Sequence, residues 1–265
     1  MSAIDDLFGR LRAENQKAFI PFITAGDPNL AVTKAILEAF DAQGCHLAEI
    51  GLPYSDPIAD GPTIQASYTR ALADKIKVPD IFSMLSEVKS LSMPRVCMTS
   101  YSIVHRLGEQ KFLEMSTTSG LAGAIIPDLP LEESPRFAGL CKEHDFSLIQ
   151  LVTPMTPRDR ALRIAENSSG FLYFVSVTGI TGTRDSLPED LLQNVAWMKE
   201  QTSLPVCVGF GISRPDHVRE LRDVADGLIV GSGIVRHLES CDPANPEETI
   251  QKVSNYVGEM IAALK

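Results

Sequence analysis

Eight short apolar segments, each followed by polar residues and then by an amphipathic stretch, dominate the sequence. The predicted strands lie at 18–23, 47–52, 95–100, 121–127, 147–152, 171–176, 205–210 and 227–231. The predicted helices between and after them include 31–40, 82–89, 107–115, 135–144, 158–166, 188–199, 215–222 and 247–264. Such alternation is typical of a (β/α)8 barrel, since a doubly wound open sheet seldom runs so long or so evenly. The sequence therefore predicts an α/β fold, a (β/α)8 TIM barrel with residues 1–265 as a single domain.

Three segments depart from the even spacing. An extra N-terminal helix at 4–14 is expected to cover the barrel floor with its apolar side chains, Ile4, Leu7, Phe8 and Leu11. The strand centres near 49 and 98 are about twice as far apart as most neighbours, so additional residues follow the second strand. A Gly- and Thr-rich segment at 178–188 suits a mobile lid over the site. Both later segments follow strands, on the face where barrel enzymes keep their active sites, although long loops also tolerate neutral insertion.

Composition excludes several classes of function. The 265 residues are 44% hydrophobic, and no apolar run approaches the roughly 20 residues of a membrane span. The N-terminus lacks a basic flank followed by an apolar signal core, so we expect a cytoplasmic protein. A net charge of −10, with no dense basic run, argues against binding to nucleic acid or to an anionic membrane.

Cysteine and histidine spacing argues against disulfides and metals. The five cysteines are widely separated and form no Cys-x-x-Cys pair, as expected of reduced thiols. The five histidines never fall at the i, i+4 spacing of a helical metal site. We therefore expect no metal site.

Glu49 is the residue around which the rest of the sequence can be arranged. It interrupts the apolar run at 47–52, where an ionised carboxylate is unfavourable unless it has a partner. Desolvation raises the pKa of such a carboxyl toward the range useful for proton transfer near neutral pH. Glu49 is therefore a candidate general acid or base, although a strand glutamate is more often paired with an arginine for structural reasons.

Asp60 follows in a loop that is rich in proline and glycine. Pro53, Pro57, Gly61 and Pro62 restrict the loop, so it can hold a side chain in one place. Asp60 can face the same cavity as Glu49 only if the loop folds back over the strand end. Aspartate in such a loop is also a common turn former, and that alternative stays open.

Three glycine clusters lie at the ends of the sixth, seventh and eighth predicted strands, at 179–182, 209–213 and 231–233. Glycine lets the backbone approach an anion closely, and a helix expected to begin at Ile234 would direct its positive end to the same place. The last two clusters contain no Lys or Arg, so neutral donors, including the Ser232 hydroxyl, would bind the phosphate of a small molecule. Glycines at strand ends can also simply form turns.

Five motifs together carry a resemblance to a known family. They are FIPFITAGDP at 19–28, EIGLPYSDPIADGPTIQ at 49–65, IPDLP at 126–130, YFVSVTGITG at 173–182 and GFGIS at 209–213. With them, the chain from residue 18 to the last helix resembles the alpha subunit of tryptophan synthase. The resemblance implies a lyase that splits indole-3-glycerol phosphate into indole and glyceraldehyde 3-phosphate by a retro-aldol reaction.

The resemblance also assigns roles to residues. Glu49 matches the family's proton-transfer residue, and Asp60 matches the carboxylate that contacts the indole nitrogen. The indole pocket and lid positions correspond to Phe22, Ile125, Tyr173 and Thr181. The phosphate-binding positions correspond to Gly182, Gly211, Gly231 and Ser232.

Several residues depart from the family pattern. Leu52 and Tyr54 replace the more common Val and Phe in the strand 2 motif, and Gly233 stands where Ala is usual after the Gly-Ser pair. None of these three changes removes a chemical group. Met155, at the end of the fifth predicted strand, stands where a small polar residue is frequent.

The resemblance further implies a partner. Members of this family work with a beta subunit in an α2β2 complex, to which indole passes through a tunnel. Pyridoxal phosphate is expected only in the beta partner, so this chain needs no cofactor. The surfaces expected to face the partner are 54–58 and 102–106.

Two other functions stay open. One is a different phosphosugar lyase or isomerase on the same barrel, or a stand-alone indole-3-glycerol-phosphate lyase. The other is a non-catalytic regulatory subunit that only modulates the beta partner. The presence of Glu49, Asp60 and Tyr173 with three glycine clusters argues against the second.

Overall fold

A computed structural model describes residues 2–57, 60–175, 189–209 and 211–265. Its strands, all paired in parallel, are β1 Ala18–Thr24, β2 Ala48–Gly51, β3 Arg95–Met98, β4 Gly123–Ile125, β5 Ser147–Ile149, β6 Leu151–Val152, β7 Leu172–Val175, β8 Val206–Gly209 and β9 Gly227–Val230. The expected lid at 178–188 lies outside the described residues.

The sheet closes into a barrel through one divided strand. The strand order is β5-β4-β3-β2-β1-β9-β8-β7-β6, and the two end strands are separated in sequence only by Gln150. The Gln150 side chain donates to the Asn167 carbonyl at 2.7 Å, and its own carbonyl accepts from the Tyr173 N–H at 3.0 Å. The predicted fifth strand is therefore present as β5 and β6, and the prediction of a (β/α)8 barrel is confirmed.

Twelve helices surround the barrel within the described ranges. They are α1 Ala3–Ala13, α2 Leu30–Ala42, α3 Pro62–Ala73, α4 Val78–Glu87, α5 Tyr101–Leu107, α6 Glu109–Thr118, α7 Ser134–Glu143, α8 Arg158–Glu166, α9 Glu189–Gln201, α10 Pro215–Leu221, α11 Ser232–Leu238 and α12 Glu247–Leu264. The additional residues after the second strand form α3.

Several helix boundaries differ from the predicted ones, and two of these differences have a clear local cause. A single helix was expected at 107–115, but Leu107 ends α5 and Gly108, with φ of +85°, separates it from α6. That left-handed backbone conformation favours glycine and interrupts the helix. The last short helix begins at Ser232 rather than at Ile234, because the Ile234 N–H already bonds the Gly231 carbonyl at 2.9 Å.

Two apolar clusters stabilise the fold. One lies between the strands and the surrounding helices, and the other fills the barrel interior. The interior cluster includes the four apolar residues of α1, all at most 5% exposed, and Phe8 packs on Phe171 with ring centroids 5.8 Å apart. Because Phe171 precedes β7, α1 covers the N-terminal ends of the strands, as predicted. Each such side chain contributes about 2 kcal/mol when it is fully buried.

A buried ion pair fixes α3 to the opposite end of the barrel. Asp27, directly after β1, is fully buried, and its carboxylate accepts from Arg70 Nη2 at 2.6 Å and from Arg70 Nε at 3.0 Å. The Ser67 hydroxyl donates to the same carboxylate. Arg70 and Ser67 both lie on α3, so this contact determines where the loop before α3, which carries Asp60, can lie.

We expect Arg70→Ala to lower the free energy of unfolding by roughly 2 to 4 kcal/mol, because it leaves the Asp27 carboxylate buried without its cation. Urea unfolding measures this change. Arg219→Ala is the matched control, since Arg219 pairs with Asp216 on an exposed helix surface and should change stability by less than about 1 kcal/mol. Equal effects of the two substitutions would contradict the anchoring role of the buried pair.

Candidate active site

Glu49 lies in the barrel interior without a counterion. Its position in β2 is opposite Phe22 of β1 and Val96 of β3, both members of the interior cluster, and it is only 1% exposed. Its Oε2 has no hydrogen-bond partner among the described residues. No lysine or arginine in the described ranges pairs with it. The alternative of an arginine-paired structural glutamate therefore finds no support.

Burial has a direct chemical consequence for Glu49. Desolvation, together with the nearby charge of Asp60, raises the pKa of Glu49 to about 8. The group is therefore mostly protonated at neutral pH. A protonated carboxyl in an apolar cavity is suited to donate a proton and then to take one back.

Asp60 lies in the loop between β2 and α3, which turns back over the strand end. The Asp60 N–H bonds the Pro57 carbonyl at 3.2 Å, and the Gln65 side-chain amide donates to the Asp60 carbonyl at 2.8 Å. Burial raises the pKa of Asp60 to about 6. Since Asp60 also raises the pKa of Glu49, the structure brings the two carboxyl groups within electrostatic reach of each other.

A cleft opens beside Asp60. Its described lining includes Leu52, Asp60, Tyr68, Met98, Ser100 and Pro127. Asp60 is therefore accessible from the cleft, whereas Glu49 is enclosed in the barrel. Met155, which departs from the family pattern, is 74% exposed and so does not fill the barrel interior.

Tyr68 on α3 is a site residue that the sequence analysis missed. Its hydroxyl lies 2.7 Å from the position that a Cβ at Gly51 would occupy, and the Phe22 ring comes equally close from β1. Burial, Asp60 and Glu49 raise the pKa of Tyr68 well above its ordinary value, so the phenol stays protonated. The hydroxyl makes no hydrogen bond within the described part of the chain and lines the cleft. The apolar spacing of Ile64, Tyr68 and Ala71 could have predicted this inward helix face.

The predicted pocket residues lie together in the barrel interior. Phe22, Ile125 and Tyr173 all belong to the interior cluster. The Tyr173 hydroxyl lies where a Cβ at Gly209 would be, so Gly209 provides room for the phenol. Burial and both carboxyl groups raise the pKa of Tyr173. Thr181 and Gly182 fall outside the described residues.

The remaining glycine turns lie at the same end of the barrel, after neighbouring strands. Gly211 follows β8 with φ of +79°, and Gly231 joins β9 to α11. The N–H groups in the first turn of a helix have no intrahelical acceptor, which leaves those of Ser232 and Gly233 available. A Cβ at Gly231 would lie 3.3 Å from the Phe22 ring. Phe22 also contacts Gly51, at the end of the strand that carries Glu49. One ring therefore connects the part of the site around Glu49 to the glycine turn at Gly231.

Within the described ranges, His, Cys, Asp and Glu side chains form no group of three or more that could hold a metal ion. No helix in the part of the chain that the structure describes is long and apolar enough to span a bilayer.

These features define a (β/α)8 barrel enzyme of the acid–base type, with a buried acid and a second carboxyl at the C-terminal ends of the strands. The sequence matches the family model described as tryptophan synthase alpha chain over residues 8–265. The chain belongs to the tryptophan synthase alpha chain family.

Individual relatives agree with this assignment. A tryptophan synthase alpha chain from Rhodopirellula baltica is 52% identical over 242 residues, which cover 90% of this chain and 87% of that relative. One from Thermoanaerobacter sp. (strain X514) is 41% identical over 261 residues, 98% of both chains. A crystal structure of tryptophan synthase from M. tuberculosis, in an aminoacrylate-bound form, matches with a TM-score of 0.88 and 28% identity over 100% of both chains.

We expect the stability of the wild type relative to Glu49→Gln to fall as pH rises. The folded-state pKa of Glu49, about 8, exceeds the value of about 4 for an unfolded chain. The folded protein therefore keeps a proton that the unfolded chain loses. The resulting stabilisation is complete below the unfolded pKa and is lost as pH rises through the folded pKa. Any penalty from the buried amide of the variant is independent of pH.

Urea unfolding of both proteins at several pH values measures this difference. Glu143→Gln, which changes an exposed carboxylate on α7, should follow the wild type throughout. If the difference in unfolding free energy between Glu49→Gln and the wild type stays constant between the unfolded and folded pKa values of Glu49, then Glu49 is ionised in the folded protein.

Proposed function

We propose that Glu49 and Asp60 carry out the reaction of the family in this chain. The tryptophan synthase alpha chain is the lyase subunit that cleaves indole-3-glycerol phosphate, and this chain performs that alpha reaction in tryptophan biosynthesis. The observation that supports the two residue roles is the buried Glu49 carboxyl, which has an unpartnered oxygen and is within electrostatic reach of Asp60. The stand-alone lyase and the non-catalytic regulatory subunit are not favoured.

Glu49 acts as the acid and then as the base. Its proton is transferred to C3 of the indole ring, which leaves positive charge on the ring nitrogen. Glu49 then accepts the proton of the substrate hydroxyl on the side-chain carbon that is bonded to C3. The hydroxyl carbon becomes the aldehyde, and the electron pair of the broken C–C bond returns to the ring to give indole. One proton is donated and one is recovered, so Glu49 ends in its starting state.

Asp60 acts as a fixed negative charge. Its pKa is raised only to about 6, so it is ionised at a pH where Glu49 is still protonated. A carboxylate near the indole nitrogen stabilises the positive charge that develops there when C3 is protonated. The different burial of the two acids thus supports two different tasks.

The rest of the site would bind the substrate. Phe22, Ile125 and Tyr173 provide the apolar pocket for the indole ring. The backbone at Gly182, Gly211, Gly231 and Ser232 would bind the phosphate through neutral donors, and Thr181 would help to close the site. The Phe22 ring, in contact with both sides of the site, supports a single cavity for both ends of the molecule.

The partner is the tryptophan synthase beta subunit. Pyridoxal phosphate belongs to that subunit, and the alpha family needs no cofactor of its own. We propose that 54–58 and 102–106 face the partner, although 58 falls outside the described residues. The second surface is the helix α5, which is held by Asp128: its carboxylate accepts from the Ser100 hydroxyl and the Tyr101 N–H, each at 2.7 Å.

We also propose that residues 1–265 form one domain and that the protein acts in the cytoplasm. The interior cluster joins α1 to strands on all sides of the barrel, which supports one folding unit. All five cysteines are free thiols and four are buried, as is usual in a reducing compartment.

We expect Glu49→Gln and Asp60→Asn each to lower kcat for indole release by at least about 100-fold while KM changes little, because general acid–base catalysis contributes about that much. Indole release from indole-3-glycerol phosphate, measured with and without the beta subunit, tests this, and the wild type should be faster with the partner. Asp74→Asn, at the exposed end of α3, is the control. Wild-type turnover in Glu49→Gln would refute the assignment.

We further infer that the protonated Tyr68 phenol stabilises the ionised form of Asp60. Both side chains line the same cleft, and the charge of Asp60 is felt at the phenol. The phenol makes no hydrogen bond in the structure as described, and we infer that it donates to Asp60 once substrate is bound. Tyr68→Phe should then lower kcat/KM about tenfold, as for the loss of one hydrogen bond to a charged group. The acidic limb of the pH profile of Tyr68→Phe should move to higher pH, because loss of the phenol as a donor raises the pKa of Asp60.

Steady-state kinetics across pH measure both effects. Tyr101→Phe is the matched control, because its hydroxyl bonds Glu109 at 3.0 Å on the outer helices, and its pH profile should follow the wild type. If the acidic limb of Tyr68→Phe lies at the same pH as in the wild type, Tyr68 does not stabilise the ionised form of Asp60 and only packs over Gly51.

A further inference from the structure

Gly233, the second residue of α11, has an environment that leaves no room for a larger residue. A Cβ built at Gly233 would overlap the hydroxyl of Tyr256 on α12 and would lie 3.0 Å from Cζ of the same ring. The Tyr256 hydroxyl therefore occupies the space that an alanine methyl group would need.

The same hydroxyl also reaches the neighbouring glycine turn. It donates to the Ser213 carbonyl at 3.0 Å, and Ser213 lies two residues after Gly211 in the loop after β8. The Tyr256 ring packs on His237 of α11, with centroids 5.2 Å apart. Burial raises the pKa of Tyr256 to about 12, so the hydroxyl remains a donor over the whole working range.

The Tyr256 side chain thus contacts both the turn after β8, at Ser213, and the turn after β9, at Gly233. Strands β8 and β9 hold the starting points of the two turns in register, with Val208 opposite Leu228, but their pairing does not extend to Ser213 or Gly233. Tyr256 provides a contact there, because its hydroxyl bonds the first turn and its van der Waals surface sets how closely the start of α11 can approach. The absence of a Cβ at Gly233 makes this contact possible.

We propose that Tyr256 is a positioning residue for substrate phosphate, and that Gly233 and Tyr256 form a matched pair that fixes the spacing of the two turns. The inference rests on the proposed phosphate site, and it adds a residue on α12 to it. Tyr256 acts through the backbone of Gly211–Ser213 and Ser232–Gly233 and does not touch the substrate.

The test measures inhibition of indole release by inorganic phosphate, together with KM for indole-3-glycerol phosphate, in the complex with the beta subunit. Tyr256→Phe keeps the ring and removes the hydroxyl. We expect KM and the phosphate inhibition constant to rise together, about five- to tenfold, with kcat and the pH profile almost unchanged. Ser254→Ala is the matched control, because this hydroxyl on the same helix bonds Gln43 at 2.8 Å, away from the turns, and it should behave like the wild type.

A double-mutant cycle tests the pairing. Gly233→Ala alone should weaken phosphate inhibition by more than tenfold, whereas in the Tyr256→Phe background the same change should weaken it by less than about threefold, because the overlap with the hydroxyl is gone. If Gly233→Ala does not fold, the Tyr256→Phe kinetics decide alone. Additive effects, or a lower melting temperature with unchanged phosphate inhibition, would overturn the proposal.

Failure of the phosphate site itself gives a different result. In that case inorganic phosphate would not compete with indole-3-glycerol phosphate in the wild type, and Ser232→Ala would leave KM unchanged. If phosphate competes with indole-3-glycerol phosphate in the wild type but Tyr256→Phe leaves KM and the phosphate inhibition constant unchanged, only the positioning role is rejected.

Discussion

A carboxyl group without a counterion inside an apolar barrel is the constraint on which the rest of the site depends. Such a group is tolerated because it can remain protonated, and it remains protonated only while water is kept out. Helix α1 closes the floor of the barrel with apolar side chains, and the rings of Phe22 and Tyr68 pack over Gly51 beyond Glu49. The hydrophobic core thus serves both stability and the proton affinity of one residue.

Glycine has a wider role at this end of the barrel than turn formation or anion binding. Gly51, Gly209 and Gly233 each lie where the ring or hydroxyl of a tyrosine occupies the space of a missing side chain. Three phenols therefore approach the backbone at the strand ends more closely than any other residue would permit. Aromatic side chains are stiff, so this packing holds the mouth of the barrel in shape with few flexible groups.

The sequence predicted the barrel, its floor and the two carboxyl groups, because buried parallel strands leave continuous apolar runs and a charge within such a run is conspicuous. It did not predict the break at Gln150 or the separation of α5 from α6. Both depend on single hydrogen bonds or dihedral angles within segments of ordinary pattern. Tyr68 was missed for a related reason: its role depends on how α3 folds back over β2, which is set by the distant contact between Asp27 and Arg70.

The order in which the two acids ionise follows from depth. Glu49 is enclosed and Asp60 borders the cleft, so desolvation acts more strongly on Glu49, and the charge of Asp60 adds to the effect. Between about pH 6 and about pH 8, Glu49 is a protonated acid and Asp60 is an anion. The phenols of Tyr68 and Tyr173, whose pKa values are raised first by burial and then by the same carboxyl groups, stay protonated in this range. A bound indole would therefore meet one proton donor at its carbon and one fixed negative charge at its nitrogen, which is the asymmetry that protonation of a ring carbon requires.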